Sequence, residues 1–177
     1  MIQKILFSLS LFSSSTFADN KDIADFLNEA LAHNYSFTER SLNQSDLKIE
    51  ESTGEILFQN EGGFVVNILS PFKERYEVSQ DRVTIFDFDL DQSRTINLED
   101  INSIFIKILL SGSSSQSTEY QIKPNDPNHL GWGIGVVSIL PADDSPEINF
   151  IFKKRKLSII RYTDNLGIEH GIVLTRL

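Results

Sequence analysis

Residues 54–92 alternate short apolar runs with turn-forming residues, and this pattern sets the expectation for the whole chain. Four strands are predicted, at about 55–59, 64–69, 74–79 and 83–88. Asn60 with Gly62-Gly63, Ser70-Pro71 and Gln80-Asp81 separate them. Pro71 ends a run because it has no amide proton to give a ladder and it restricts the residue before it. β-branched and aromatic runs of this length, punctuated by turns, indicate an antiparallel meander.

The two faces of these strands are both apolar in part. In the second strand Phe64, Val66 and Ile68 share one face, and Val65, Asn67 and Leu69 the other. In the fourth, Val83 and Ile85 oppose Thr84, Phe86 and Phe88. A sheet that coats only a core alternates more cleanly than this. Two architectures account for the pattern. Either a second layer covers the other face, or the sheet curves round an apolar cavity.

Two helices flank the meander. In residues 19–34, Ile23, Phe26, Leu27, Ala30 and Leu31 fall on one stripe at helical spacing. Asn20 can cap the amino end, Asp22 and Asp25 suit its positive dipole, and Asn34 can end the helix. In residues 97–112, Asn97 and Asp100 approach a capping box and Gly112 is a stop signal. Leu98, Ile101, Ile104, Phe105, Ile108 and Leu109 form its stripe, widened by Ile106 and Leu110. A short helix this apolar sits deep in a core or covers a greasy opening.

Further strands are expected at 35–43, 92–96, 119–123, 132–140, 149–153, 157–163 and 168–174. Residues 44–53 are polar and read as the outer part of a hairpin or a charged strand. Residues 113–118 read as a polar linker, 124–131 as a loop, and 141–146, 154–155 and 164–167 as turns. The sum is one domain, mainly β with α, of about ten strands and two helices.

Charge and composition narrow the function. The 177 residues carry a formal net charge of −9, which disfavours a nucleic-acid partner held through phosphates. There is no cysteine, so disulfides, thiolate catalysis and cysteine metal sites are excluded. Residues 1–18 read as a cleaved export signal, with Lys4, the apolar run ILFSLSLF and Thr16-Phe17-Ala18 before a mature start at Asp19. The apolar run is too short for a membrane span, which needs about 20 residues. One exported, soluble domain, residues 19–177, is expected.

Catalytic signatures do not assemble. Asp87, Asp89 and Asp91 alternate as in a calcium loop, but the sixth and twelfth positions are Gln92 and Leu98 rather than glycine and glutamate. His33, His129 and His170 lack ligand spacing, so no metal is expected. No serine lies in a Gly-x-Ser-x-Gly turn. Residues 131–135 (GWGIG) are glycine-rich, yet no helix follows to hold a phosphate. The basic run Lys153-Lys154-Arg155-Lys156 reads as a solvated turn or a docking patch. The expectation is a binding protein, not an enzyme, with no cofactor.

Residues 54–92 also resemble the signature region of the LolA family of periplasmic lipoprotein carriers. Gly54, Phe64, Pro71, Asp81, Phe86, Asp87, Leu90 and Gln92 stand at positions matching the family pattern. The export signal, the opening amphipathic helix and the apolar helix after Gln92 match as well. The sequence departs from the pattern at Asn60-Glu61, where the family has Arg-Pro, at Val66 for Trp, and at Arg82 for Gly. The family also usually continues beyond the position of Leu177.

The resemblance implies a strongly curved, incomplete antiparallel β-barrel with a helical lid. It implies a monomer without nucleic acid, whose cavity takes the acyl chains of a lipoprotein or of another lipid or glycolipid. An inner-membrane transporter would supply the cargo and an outer-membrane acceptor would take it; a role beside an exporter is the alternative. Candidate lining residues are Phe58, Phe64, Val66, Ile68, Ile85, Phe86, Ile101, Phe105 and Ile108, with Phe64 at the mouth by analogy.

Overall fold

The computed structural model describes residues 20–43, 47–59, 62–100, 104–125, 132–138, 147–164 and 166–177. The expected export signal, the turn at 141–146, most of the loop at 124–131 and Ile101 lie outside these residues.

Helix α1 spans Asn20–Leu31 and leads into β1, Tyr35–Asn43. A meander follows: β2 Lys48–Phe58, β3 Phe64–Ser70, β4 Glu74–Val78, β5 Arg82–Asp87 and β6 Gln92–Asn97. A 3-10 turn at Leu98–Asp100 precedes α2, Ile104–Ser111. The chain then adds β7 Tyr120–Asn125, β8 Trp132–Ser138, β9 Ile148–Lys153, β10 Lys156–Thr163 and β11 Ile168–Arg176. The eleven strands among the described residues form one sheet in the order β6-β5-β4-β3-β2-β1-β11-β10-β9-β8-β7, and every described pairing is antiparallel. The sheet is open. β6 and β7 are its edges, and α2 carries the chain from one edge to the other.

The sequence pattern explains the joints. The polar stretch before Thr53 is a charged strand of a hairpin, as expected: β2 runs unbroken from Lys48 and pairs along β1 from Asn43↔Lys48 to Tyr35↔Ile56. Its charged residues find neighbours, Arg40 beside Glu51 at 2.8 Å and Lys48 beside Glu50. β7 extends through Pro124, which a loop was expected to hold. It is an edge strand, where a proline without an amide proton is tolerated. The second helix is shorter than its apolar stripe, because the Leu98 amide donates to the Asp81 carbonyl at 2.9 Å and holds that first turn against the sheet.

The interior has two halves. One is solid: Leu27 of α1, Ile108 of α2, Ile134 of β8 and Phe150 of β9 are fully buried in it. The other half, beneath β1 to β5, is hollow. Its curvature follows from a distance argument. β5 and β10 are six strands apart in the sheet, about 29 Å if it were flat. Both contribute to the wall of one small cavity, so the sheet must curl.

Strand direction assigns each turn to an end. The β9–β10 turn lies at the α1 end, near Tyr35 and Arg176. The β1–β2, β3–β4, β5–β6 and β10–β11 turns lie at the far end, where Leu47, Phe72, Leu90 and Leu166 are exposed.

Candidate functional site: an apolar cavity with an acidic neck

Directly paired residues share a face of the sheet. Phe64 pairs with Val78, Val66 with Tyr76 and with Ile56, and Tyr76 with Ile85. These side chains point to the concave side and line a cavity of about 330 Å³. Helix α2 closes it with Phe105, Ile106 and Leu109, and Tyr162 and Ile172 reach it from the last two strands. The wall is hydrocarbon and ring except for Glu39 and the two tyrosines.

Five of the nine candidate residues stand on this wall: Phe64, Val66, Ile68, Ile85 and Phe105. Phe58 stands beside it, half-buried, with its ring 5.9 Å from that of Phe64. Two are corrected. Phe86 is on the outer face of β5, opposite Arg75 and Ser93, because the residue after Ile85 must point the other way. Ile108 is on the core side of α2, fully buried in the solid half rather than lining the hollow. Ile101 is outside the described residues. The sequence reading also missed Phe37, Val78, Val83 and Leu109. Period two from Ile85 would have found Val83, and the i, i+4 relation to Phe105 would have found Leu109.

One strand measures the site from end to end. On β1, Tyr35 faces a pocket at the α1 end, Phe37 and Glu39 face the cavity, and Glu39 and Ser41 face a second hollow of about 580 Å³ at the far end. Tyr35 to Ser41 spans about 20 Å. The far hollow is an acidic neck: Glu39, Glu50, Glu51 and Glu74 line it with His170, and Ile68 joins it to the cavity.

A stack of rings links the neck to α2. Phe105 lies on Tyr162 with centroids 5.0 Å apart, and Tyr162 lies on His170 at 4.5 Å with planes 4° apart. His170 sits between two carboxylates, Nδ1 2.6 Å from Glu39 Oε1 and Nε2 3.4 Å from Asp164 Oδ2. The hydrogen bond to Glu39 raises the His170 pKa above its ordinary value, against the opposing pull of burial. Burial pushes the Asp164 carboxyl up, but amide hydrogen bonds from Ile168 and Leu166, with His170, outweigh it and the net shift is down. Burial raises Tyr162, while burial and the neighbouring Glu74 push Tyr76 up to about 12. Both tyrosines therefore stay neutral in the cavity wall. Among the described residues no group of three or more histidine or acidic side chains is arranged to hold a metal ion.

No family model matches the chain. It is 26% identical over 122 residues to an outer-membrane lipoprotein carrier protein of Pseudomonas fluorescens (strain Pf0-1). That alignment covers 67% of this chain and 59% of the relative, so the chain matches rather less than two thirds of the carrier's length. Among solved structures, it is similar to a LolA superfamily protein from Nitrosomonas europaea, with TM-score 0.51 and 9% identity over 90% of this chain and 92% of that one. It is also similar to an uncharacterized conserved protein from Thermus thermophilus, with TM-score 0.50 and 11% identity over 88% and 83% of the two chains. At these identities the structural likeness is one of fold. The LolA-like resemblance read from residues 54–92, and the open curved sheet it implied, both stand.

Proposed function

We propose that this protein is a periplasmic carrier of acylated cargo. It performs no catalysis, and it shields hydrocarbon chains of a lipoprotein in the cavity beneath α2. The export signal at residues 1–18 would deliver the single domain 19–177 to that compartment. The observation that carries the reading is a hollow walled almost wholly by apolar side chains in an acidic protein, where packing would otherwise fill it.

The energetics fit a carrier. Each methylene moved from water is worth about 0.8 kcal/mol, so ten of them gain about 8 kcal/mol before ordering costs. A cavity of about 330 Å³ is at the lower end of ligand pockets, which run from about 300 to 1,000 Å³. Larger cargo requires α2 to move outward. Its cavity-side residues Phe105 and Ile106 are half-buried, but Leu109 and Ile108 are buried, so that movement breaks real packing. The lost packing offsets part of the cargo affinity and keeps release possible.

The test is native mass spectrometry of protein exported to, and gently purified from, a periplasm. The expected result is a co-purified acylated species, whose mass separates a lipoprotein from another lipid or glycolipid. An Ile68→Trp variant, which fills the cavity from a half-buried position, should arrive without it while unfolding at a similar temperature. A wild-type protein that arrives empty and takes up no apolar dye would end the proposal.

A further inference from the structure

The β9–β10 hairpin turns on Lys154-Arg155, between the paired residues Lys153 and Lys156. Both turn residues have positive φ, 50° and 63°. A two-residue turn of this kind prefers Asn-Gly, and long β-carbon-bearing side chains are strained there. The chain therefore holds two cations at a position where local folding favours neither. They converge with Lys156 and Arg176 on a pocket of about 280 Å³ at the α1 end, floored by Phe26, Ala30 and Leu157. His33 lines it too, and Glu29 is the one carboxylate among the described residues that line it.

The pairing of charges singles this end out. Arg40, Arg75, Arg82, Lys107 and Lys123 each sit within 3.0 Å of a carboxylate. Among the described residues, Lys154, Arg155, Lys156 and Arg176 have no ion-pair partner. Lys73, Arg94 and Arg161 also lack one among the described residues, but they are spread over the sheet rather than gathered round one pocket. Beside the cluster, Trp132 is 43% exposed. Its ring is 5.4 Å from Phe26 and from Phe152, and the Arg155 guanidinium lies 5.1 Å above Phe26. Unpaired cations around an amphipathic ring suit an interface whose outer layer is anionic and whose next layer is apolar.

We propose that the α1 end docks this protein on an anionic phospholipid surface, through Lys154, Arg155, Lys156 and Arg176, with Trp132 entering the headgroup layer. On a chain of net charge −9 the contact also fixes orientation. The far end, about 20 Å along β1, carries carboxylates, two of them paired with Arg40 and Lys48, and no cluster of unpaired cations among the described residues, so it faces away. The inference uses neither the cavity nor its contents, so it stands or falls apart from the carrier reading.

The experiment is co-sedimentation of the full mature chain with phosphatidylcholine vesicles, with and without phosphatidylglycerol. Fluorescence of Trp132, the chain's single tryptophan, is followed in parallel. Binding is expected only with phosphatidylglycerol, accompanied by a blue shift, and is expected to fall as salt rises from about 0.05 to 0.5 M. The variant Lys154→Asn/Arg155→Gly removes two charges while giving the turn its preferred residues. It should unfold a few degrees higher and partition roughly 25-fold more weakly. Phe72→Ser/Leu90→Ser, at the far end, should bind as the wild type does. Three results would overturn the proposal: no preference for phosphatidylglycerol, undiminished binding by the turn variant, or loss of binding in the far-end variant alone. Displacement by inorganic phosphate, but not by chloride at matched ionic strength, would equally replace the lipid surface with a free-anion site.

Discussion

The ring of Phe37 occupies the space that a side chain at Gly54 would need. The two residues are directly paired between β1 and β2. A β-carbon at Gly54 would lie 2.8 Å from two ring atoms of Phe37 and 2.0 Å from the Asn67 carbonyl oxygen. The register shift between β2 and β3 falls at Thr53/Gly54. Glycine here lets the sheet bend closely enough for Phe37 to form cavity wall.

Gly54→Ala should therefore destabilise the fold by about 3 kcal/mol, at the upper end of overpacking costs. Trimming the ring with Phe37→Leu should restore only part of that loss, because the carbonyl clash remains. Urea midpoints of the two single variants and the double variant measure this.

The joint between α1 and the end of α2 is made chiefly by the Asn28 amide, with the Ser113 hydroxyl also 3.1 Å from the Ala24 carbonyl. Asn28 Nδ2 donates to the Ser113 carbonyl at 2.9 Å, and Asn28 Oδ1 accepts from the Ser113 amide at 2.6 Å and its hydroxyl at 3.0 Å. Ser113 is buried, and Gly112 before it has φ of 74°, with Asn28 Oδ1 2.8 Å from where a β-carbon would lie. Asn28→Ala should cost about 2–3 kcal/mol by leaving buried backbone groups unpaired. Asn28→Asp keeps the acceptor and should cost less. Equal losses in thermal denaturation would contradict this account.

Phe105 joins α2 to the sheet through Tyr162, and its ring is 6.4 Å from Phe150. Phe105→Ala should cost about 2 kcal/mol, below the 3–5 kcal/mol of a fully buried phenylalanine, because the ring is half-buried. If α2 moves to admit cargo, the same variant should take up an apolar dye faster than the wild type. Stopped-flow fluorescence separates the two effects.

His170 makes stability depend on pH. Its folded pKa lies above the ordinary 6.5, chiefly through the Glu39 hydrogen bond, so the folded state holds the proton more tightly. That contribution is complete below about pH 6.5 and is lost as pH rises through the folded value. The stability difference between wild type and His170→Gln should shrink across that rise. Chemical denaturation at stepped pH gives the curve, and a difference that grows with pH would contradict the sign.

How much of the site was legible follows from particular residues. Ile85 and Phe86 are adjacent and equally apolar, and nothing local says which faces inward. The pairing of Ile85 with Tyr76, itself opposite Val66, decides it. The His170 cluster was invisible as a site because Glu39 and His170 are far apart in the chain and meet only when β11 pairs with β1.

The sequence by itself determined where most strands break, which stripe of α1 is buried and that the chain is mainly β. Those depend on proline and glycine stereochemistry and on hydrophobic period, which act over a few residues. Tertiary structure alone decided that the sheet closes far enough to leave a hollow, that α2 spans between its edges, and that acids gather at one end and unpaired cations at the other. Those depend on register and curvature, which arise only when β11 returns to β1 and the two halves of the sheet become one surface.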